Sequence, residues 1–204
     1  PPVFIIMRYR SPEAAHPHLG LLGKGIIFDS GGISLKPAEG MQDMKSDKSG
    51  AAAVIAAMGA IGKLKPRLCV TGLVPATENL PSGSAMRPGD IIRMMNGKSV
   101  EVISTDAEGR LILADALSYG RQIGLSHMVD VATLTGACHV ALGDLYSGAF
   151  TNNQALLDQV LKAAQQTGDK MWQLPMPEEY KEQIKSDDAD IKNVGGRWGG
   201  AITA

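Results

Sequence analysis

Two apolar runs, residues 68–75 (LCVTGLVP) and 128–132 (MVDVA), place the tightest constraint on how this chain can fold. Each has the length of one strand and is apolar on both faces. A strand without a polar face has to be covered on both sides, as in a parallel sheet packed between helices. Helical patterns alternate with these runs. Residues 50–64 are rich in Ala, Val, Ile and Met, hydrophobic almost all round, and predict a buried helix. Residues 109–124 carry apolar positions at Leu111, Leu113, Ala114 and Leu117, and residues 153–167 form an amphipathic helix ending at Gly168.

Further strands surround this alternation. Val3–Tyr9 reads as a short apolar strand, and residues 10–18, with two prolines and two histidines, as a loop. Residues 19–28 form an apolar strand with Gly23 and Gly25 inside it, which predicts a bulge or a close backbone approach. Residues 36–47 are polar and predict an irregular loop. Residues 90–95 and 98–104 are joined by Asn96-Gly97, a hairpin signal. The predicted fold is α/β: a three-layer α/β/α sandwich around a mixed, largely parallel sheet. No internal repeat or low-complexity segment interrupts it.

Composition removes several function classes. Lys and Arg number 20 against 21 Asp and Glu, a net charge of −1, which argues against a nucleic-acid partner held by a basic face. No apolar run reaches the ~18 residues of a membrane span. Cys69 and Cys138 sit in apolar surroundings with no disulfide or zinc spacing, so a reducing, cytoplasmic setting is expected. The chain opens at Pro1-Pro2 and stops at Ala204, and neither end reads as a natural terminus. An internal piece of a longer protein is expected.

In sheets of this type ligands collect beyond the carboxyl ends of the strands. Acids cluster there: Asp29 after the second strand, Asp47 before the buried helix, and Asp106 and Glu108 after the hairpin. Each has a plain structural reading. Thr105-x-x-Glu108 has the pattern of a capping box, favoured on this segment alone, whereas an extended chain would turn Asp106 and Glu108 to one side. Asp47 can cap the Ala-rich helix. Lys24, flanked by two glycines, and Asp29 are five residues apart and fall on opposite faces of an ideal strand. Lys36 reads as a surface lysine. Arg110, a cation in a helix's first turn, opposes the macrodipole unless an anion binds there.

His16 and His18 lie in the loop, and His127 and His139 have no partner pattern. There is no His-Glu-x-x-His, nucleophile elbow or phosphate loop. A metal site here must be built from oxygens, with an amine as the other admissible donor. Grouped together, Asp29, Asp47, Asp106 and Glu108 would need cations to stay ionised, and two divalent ions would supply that charge while polarising a carbonyl and activating water. Lys24 could join them only as a neutral amine.

Lys24 through Asp29-Ser30-Gly31-Gly32, Lys36, Asp47 and the run Thr105-Asp106-Ala107-Glu108-Gly109-Arg110-Leu111 resemble the leucyl aminopeptidase family, the cytosol aminopeptidases of peptidase family M17. The resemblance extends through Glu78-Asn79-Leu80-Pro81-Ser82-Gly83, Arg87-Pro88-Gly89-Asp90, Asn96-Gly97-Lys98 and residues 132–137, and so covers nearly the whole chain. It implies a two-metal exopeptidase that removes N-terminal residues, preferring Leu or similar, by means of a metal-bridging water. The implied metal ligands are Lys24, Asp29, Asp47, Asp106 and Glu108, for two Mn²⁺ or Zn²⁺ ions. Lys36 would stabilise the developing oxyanion, and Arg110 would hold a bicarbonate that accepts a proton. Met44, Thr133 and Gly136 would line the pocket for the substrate's first side chain.

The resemblance further implies a cytoplasmic homohexamer acting on peptides. Residues 1–204 would then be its catalytic domain, without the family's N-terminal domain and without the catalytic domain's C-terminal end. Ser104 departs from the family's usual Asn, and tuning rather than loss is expected. Two other readings remain: a metal-dependent phosphoesterase, and a non-enzymatic DNA-binding role of the parent protein.

Overall fold

The computed structural model describes residues 1–13 and 18–204. Its strands are β1 (Val3–Tyr9), β2 (His18–Gly23), β3 (Gly25–Asp29), β4 (Cys69–Asn79), β5 (Ile91–Arg93), β6 (Ser99–Glu101), β7 (His127–Val131), β8 (Ser147–Ala149), β9 (Met171–Gln173) and β10 (Ile191–Lys192). Its α-helices are α1 (Ser49–Leu64), α2 (Gly109–Gln122), α3 (Gly136–Leu142), α4 (Gln154–Thr167) and α5 (Gly200–Thr203). Residues 14–17 of the expected N-terminal loop, His16 among them, lie outside the described residues.

The central sheet runs β1-β4-β2-β7, with β3 also paired to β4. Only β1 is antiparallel; β2, β3, β4 and β7 run parallel. Alternate residues of the apolar strands serve opposite faces. Val70 and Val74 pack against Ala51, Val54 and Met58 of α1 on one face. Leu73 and Leu22 pack against Ala116 and Leu125 on the other, under α2. This is the three-layer α/β arrangement that the alternation predicts. Each fully buried Val or Leu side chain contributes about 1.5–3 kcal/mol.

The Asn96-Gly97 turn closes the hairpin, pairing Ile91 with Glu101 and Arg93 with Ser99. The hairpin and β10 form a separate three-stranded sheet, seated on α2 through Met94, Val100 and Leu111. The amphipathic helix α4 starts where Asn153 accepts a hydrogen bond from Leu156 N and stops at Gly168 in a left-handed conformation. Helix α1 departs from expectation. It buries one side only, through Gly50, Ala51, Val54 and Met58, while Ile55 and Leu64 are exposed. Residues 41–46, expected to be irregular, form a 3₁₀ helix (Met41–Ser46). Among the described residues, no helix is long and apolar enough to cross a membrane.

Residues 19–28 are not one strand. Leu22 pairs with Leu73 and Gly25 with Ala76 at one constant offset, so β2 and β3 follow the same line along β4 with a break at Lys24. There Lys24 N donates to Val131 O of β7 at 3.0 Å, and Lys24 O accepts from Ala51 N at 2.9 Å. The first turn of α1 therefore rests directly on the break. Gly50 permits it: a Cβ at that position would overlap the Val131 carbonyl and lie 3.0 Å from Lys24 N. This contact brings Asp47, two residues ahead of α1, to Lys24.

Candidate functional site

Several carboxyl strand ends converge. Asp29 ends β3, Asn79 ends β4, and Thr133 follows the end of β7. Two helix starts meet them, with Asp47 just ahead of α1 and Glu108 as the N-terminal cap residue of α2. Lys24 Nζ lies 2.7 Å from Asp47 Oδ2 and 3.1 Å from Glu108 Oε1, and donates to Thr133 O at 3.4 Å. Thr133 Oγ1 donates to Asp47 Oδ1 at 2.6 Å. Lys24, Asp29, Asp47 and Glu108 are 4%, 3%, 6% and 5% exposed, so bulk water does not solvate their charges. Lys36 lies on the more open side, 3.0 Å from Asp29 Oδ2 and 2.6 Å from Asp106 Oδ1.

The electrostatics follow from this burial. Loss of solvent pushes the Asp47 and Glu108 carboxyls above the ordinary carboxylate range. The Lys24 ammonium offsets part of that shift, and the charge of Asp29 adds to it. Burial pulls Lys36 down, but its hydrogen bonds to Asp106 and Asp29 outweigh this and hold it above its usual value. Burial lowers Arg110.

Among the described residues, three buried polar atoms receive no well-directed hydrogen bond: Asp47 Oδ2, Glu108 Oε1 and Arg110 Nε. The first two have the Lys24 ammonium at ion-pair distance but poorly aligned. One oxygen from each of Asp29, Asp47 and Glu108 lies within 4.8 Å of the other two. Four carboxylates share two ammonium groups, which leaves negative charge in excess. Clustered oxygens, an amine and surplus charge fit a divalent cation of the harder kind. A separate cavity of about 630 Å³, beside Tyr146, Leu161 and Trp172, has Asp169 as its one carboxylate and no such cluster.

The sequence matches the family model "Cytosol aminopeptidase family, catalytic domain" over residues 1–204. The chain belongs to the cytosol aminopeptidase family. It is 60% identical over its whole length to a "Probable cytosol aminopeptidase" of Solibacter usitatus, covering 43% of that relative. Relatives of the same name from Koribacter versatilis and Alkaliphilus metalliredigens are 56% and 52% identical, again over all of this chain and over 40% and 41% of their own lengths. The chain thus spans about two fifths of the curated relatives it matches.

Of the residues singled out in the sequence, Lys24, Asp29, Asp47 and Glu108 come together in the buried cluster, with Lys36 and Asp106 on its open side. Arg110 lies in the first turn of α2, next but one to Glu108. Thr133 bonds directly to the cluster. Met44 approaches it through its carbonyl, which accepts from Asp47 N at 3.2 Å. Gly136 opens α3. Ser104, the departure from the family pattern, accepts from Asp106 N at 3.3 Å. His18 belongs to β2, with Nε2 2.9 Å from Thr71 Oγ1, and is no part of the cluster.

Three local readings give way. Asp47 does not cap α1, whose cap residue is Lys48; its carboxylate is engaged by Thr133 and Lys24. Thr105 and Glu108 form no capping box. Thr105 Oγ1 donates to Gly31 O and accepts from Ser34 N, and Glu108 turns to Lys24. Lys24 and Asp29 do not stay on opposite faces. Ile26 pairs with Thr77 but Asp29 with Asn79, so β3 carries one extra residue between them, and the bulge reverses the alternation.

Sequence reasoning overlooked Asn79, Thr105 and Asn193 as organising residues. Asn193 is 3% exposed. Its side chain accepts from Ile103 N and donates to Ser104 O, holding the turn that carries Asp106. Asn79 and Thr105 lie within the motifs carrying the resemblance, but nothing in the spacing indicates what they contact.

Proposed function

We propose that the protein carrying this chain is a two-metal aminopeptidase that hydrolyses the N-terminal peptide bond of peptides, preferring Leu or a similar first residue. The observation carrying this reading is the buried convergence of Asp29, Asp47 and Glu108 on Lys24, with two carboxylate oxygens lacking a well-directed hydrogen bond. Asp29, Asp47 and Glu108, with Lys24 as a neutral amine, would hold one divalent ion, Mn²⁺ or Zn²⁺. Asp106 would hold the second, sharing Asp29 and Glu108 with the first. Two such ions polarise a peptide carbonyl and activate water.

The chain's own residues supply the rest. Lys36 keeps its proton because Asp29 and Asp106 hold its pKa up, so it remains a cation able to donate to an oxyanion forming at the carbonyl. Arg110 has a buried Nε–H with no hydrogen-bond partner among the described residues, suited to a small oxyanion such as bicarbonate that would take the proton released by the attacking water. Thr133 keeps Asp47 Oδ1 occupied, leaving Oδ2 for the cation. Met44, Thr133 and Gly136 are the proposed lining for the substrate's first side chain. The 204 residues would be the catalytic part of a longer, cytoplasmic, homohexameric protein.

The test uses the purified full-length protein. It is expected to cleave Leu-p-nitroanilide or Leu-amide, to lose activity in chelator and to regain it with Mn²⁺ or Zn²⁺. Undiminished cleavage by stringently metal-free protein would refute the proposal.

A further inference from the structure

We propose that Asn79 is a positioning residue for this centre, its carboxamide selecting which oxygen of Asp29 and of Glu108 is offered to a cation. The inference rests on the metallopeptidase reading above. Asn79 is the last residue of β4 and the register partner of Asp29. Its Nδ2 lies 2.8 Å from Asp29 Oδ1, 3.2 Å from Glu108 Oε2 and 3.0 Å from Thr105 O. An amide nitrogen carries two hydrogens and accepts nothing, so these acceptors share its two donors. The Asn79 backbone carbonyl accepts from Ser30 N at 3.0 Å and from Ser30 Oγ at 2.7 Å.

The division of oxygens is consistent. Asn79 takes Oδ1 of Asp29, where Gly31 N also donates at 2.9 Å, and is the donor to Oε2 of Glu108. The opposite oxygens, Asp29 Oδ2 and Glu108 Oε1, are the ones that meet the ammonium groups of Lys36 and Lys24. Among the described residues, Asn79 is the one side chain that hydrogen-bonds both Asp29 and Glu108. Lys24 pairs Asp47 with Glu108, and Lys36 pairs Asp29 with Asp106. A carboxylate with no such partner rotates and presents either oxygen. A carboxylate held at one oxygen presents the other in a set direction. Removing a partner of this kind from a metal ligand typically weakens metal binding about 10–100-fold.

The experiment titrates metal-stripped full-length protein with Mn²⁺ by calorimetry, and with Co²⁺ followed by visible absorption, which reports ligand geometry. Asn79→Ala is expected to weaken Mn²⁺ binding about 10–100-fold and to alter the Co²⁺ band. Asn79→Asp has the same shape but cannot donate, and it too is expected to alter the band; this variant decides the matter if the alanine protein does not fold. A folded Asn79→Ala protein within about twofold of wild-type Mn²⁺ affinity and with an unchanged Co²⁺ band overturns the proposal. So does an unchanged band in Asn79→Asp. Wild-type protein that takes up neither ion removes the metallopeptidase reading and this inference together, whereas wild-type uptake with indifferent Asn79 variants removes this inference alone.

Discussion

Gly109 packs tightly against Lys24, and the contact yields a quantitative prediction. Gly109 is the first residue of α2, with a helical backbone that alanine also adopts, so helix propensity alone favours Gly109→Ala by about 1 kcal/mol. Packing opposes it. A Cβ on residue 109 would overlap Lys24 Cε and lie 2.6 Å from Nζ and 2.8 Å from Cδ. A lysine with a free head would swing aside cheaply. This one is 4% exposed, and its ammonium is held by Asp47 and Glu108. Displacing it leaves two buried carboxylates uncompensated, and breaking a buried ion pair costs about 3–5 kcal/mol. Setting the helix gain against that, metal-free protein is expected to lose about 2–4 kcal/mol. That corresponds to roughly 5–15 °C in melting temperature for a chain of this size. A double-mutant cycle isolates the cause. In a Lys24→Ala background the crowded atoms are gone, and Gly109→Ala should then be neutral or stabilising by up to about 1 kcal/mol. Equal penalties in both backgrounds, or no penalty in the wild type, would refute the packing account.

Three further outcomes are expected. Asp47 and Glu108 have folded pKa values raised above their ordinary 3.8 and 4.5, so their protonated forms favour the fold. That contribution is complete below the ordinary values and is lost as pH rises through the raised ones. The melting temperature of metal-free Glu108→Gln protein should therefore fall less with rising pH than that of wild type, and an equal or steeper fall contradicts the assignment. Arg110→Ala should lower kcat about 10²-fold with Mn²⁺ content unchanged, whereas Glu108→Ala should lose both activity and metal; equal metal loss in the two would undo their separate roles. Asn193→Ala strips partners from the Ile103 and Ser104 backbone and should cost about 2–4 kcal/mol in urea unfolding. A cost under about 1 kcal/mol would show that the turn holds itself.

Much of the fold was legible because its signals are local. The Asn96-Gly97 turn and the Gly168 stop of α4 each depend on a few adjacent residues, and each stands where the sequence places it. The apolar runs announced β4 and β7 because both faces of a parallel strand have to be covered. The sidedness of α1 was not legible. Its alanines and isoleucines are apolar all round, and only the strands beneath decide that Val54 and Met58 are buried while Ile55 is exposed.

The site was legible as a set of residues but not as a geometry, and the failures share a physical form. At Asp47 and at Thr105-x-x-Glu108, the local rule assigns the side chain to its own helix end. At Lys24 and Asp29, the rule of alternation sends the two side chains apart. Each rule yields to a partner distant in sequence: Thr133 for Asp47, Gly31 and Ser34 for Thr105, Lys24 for Glu108, and the register of β4 for Asp29. Two helix starts forgo their side-chain caps, and three carboxylates give up water to crowd one another. A forgone cap costs about 1 kcal/mol, and crowded buried acids cost more. An arrangement that stands against these local preferences is what is expected where a fold is shaped for chemistry rather than for stability. On the proposed reading, a divalent cation relieves that cost. Saturating Mn²⁺ should therefore raise the melting temperature of wild-type protein and leave that of Glu108→Ala nearly unchanged.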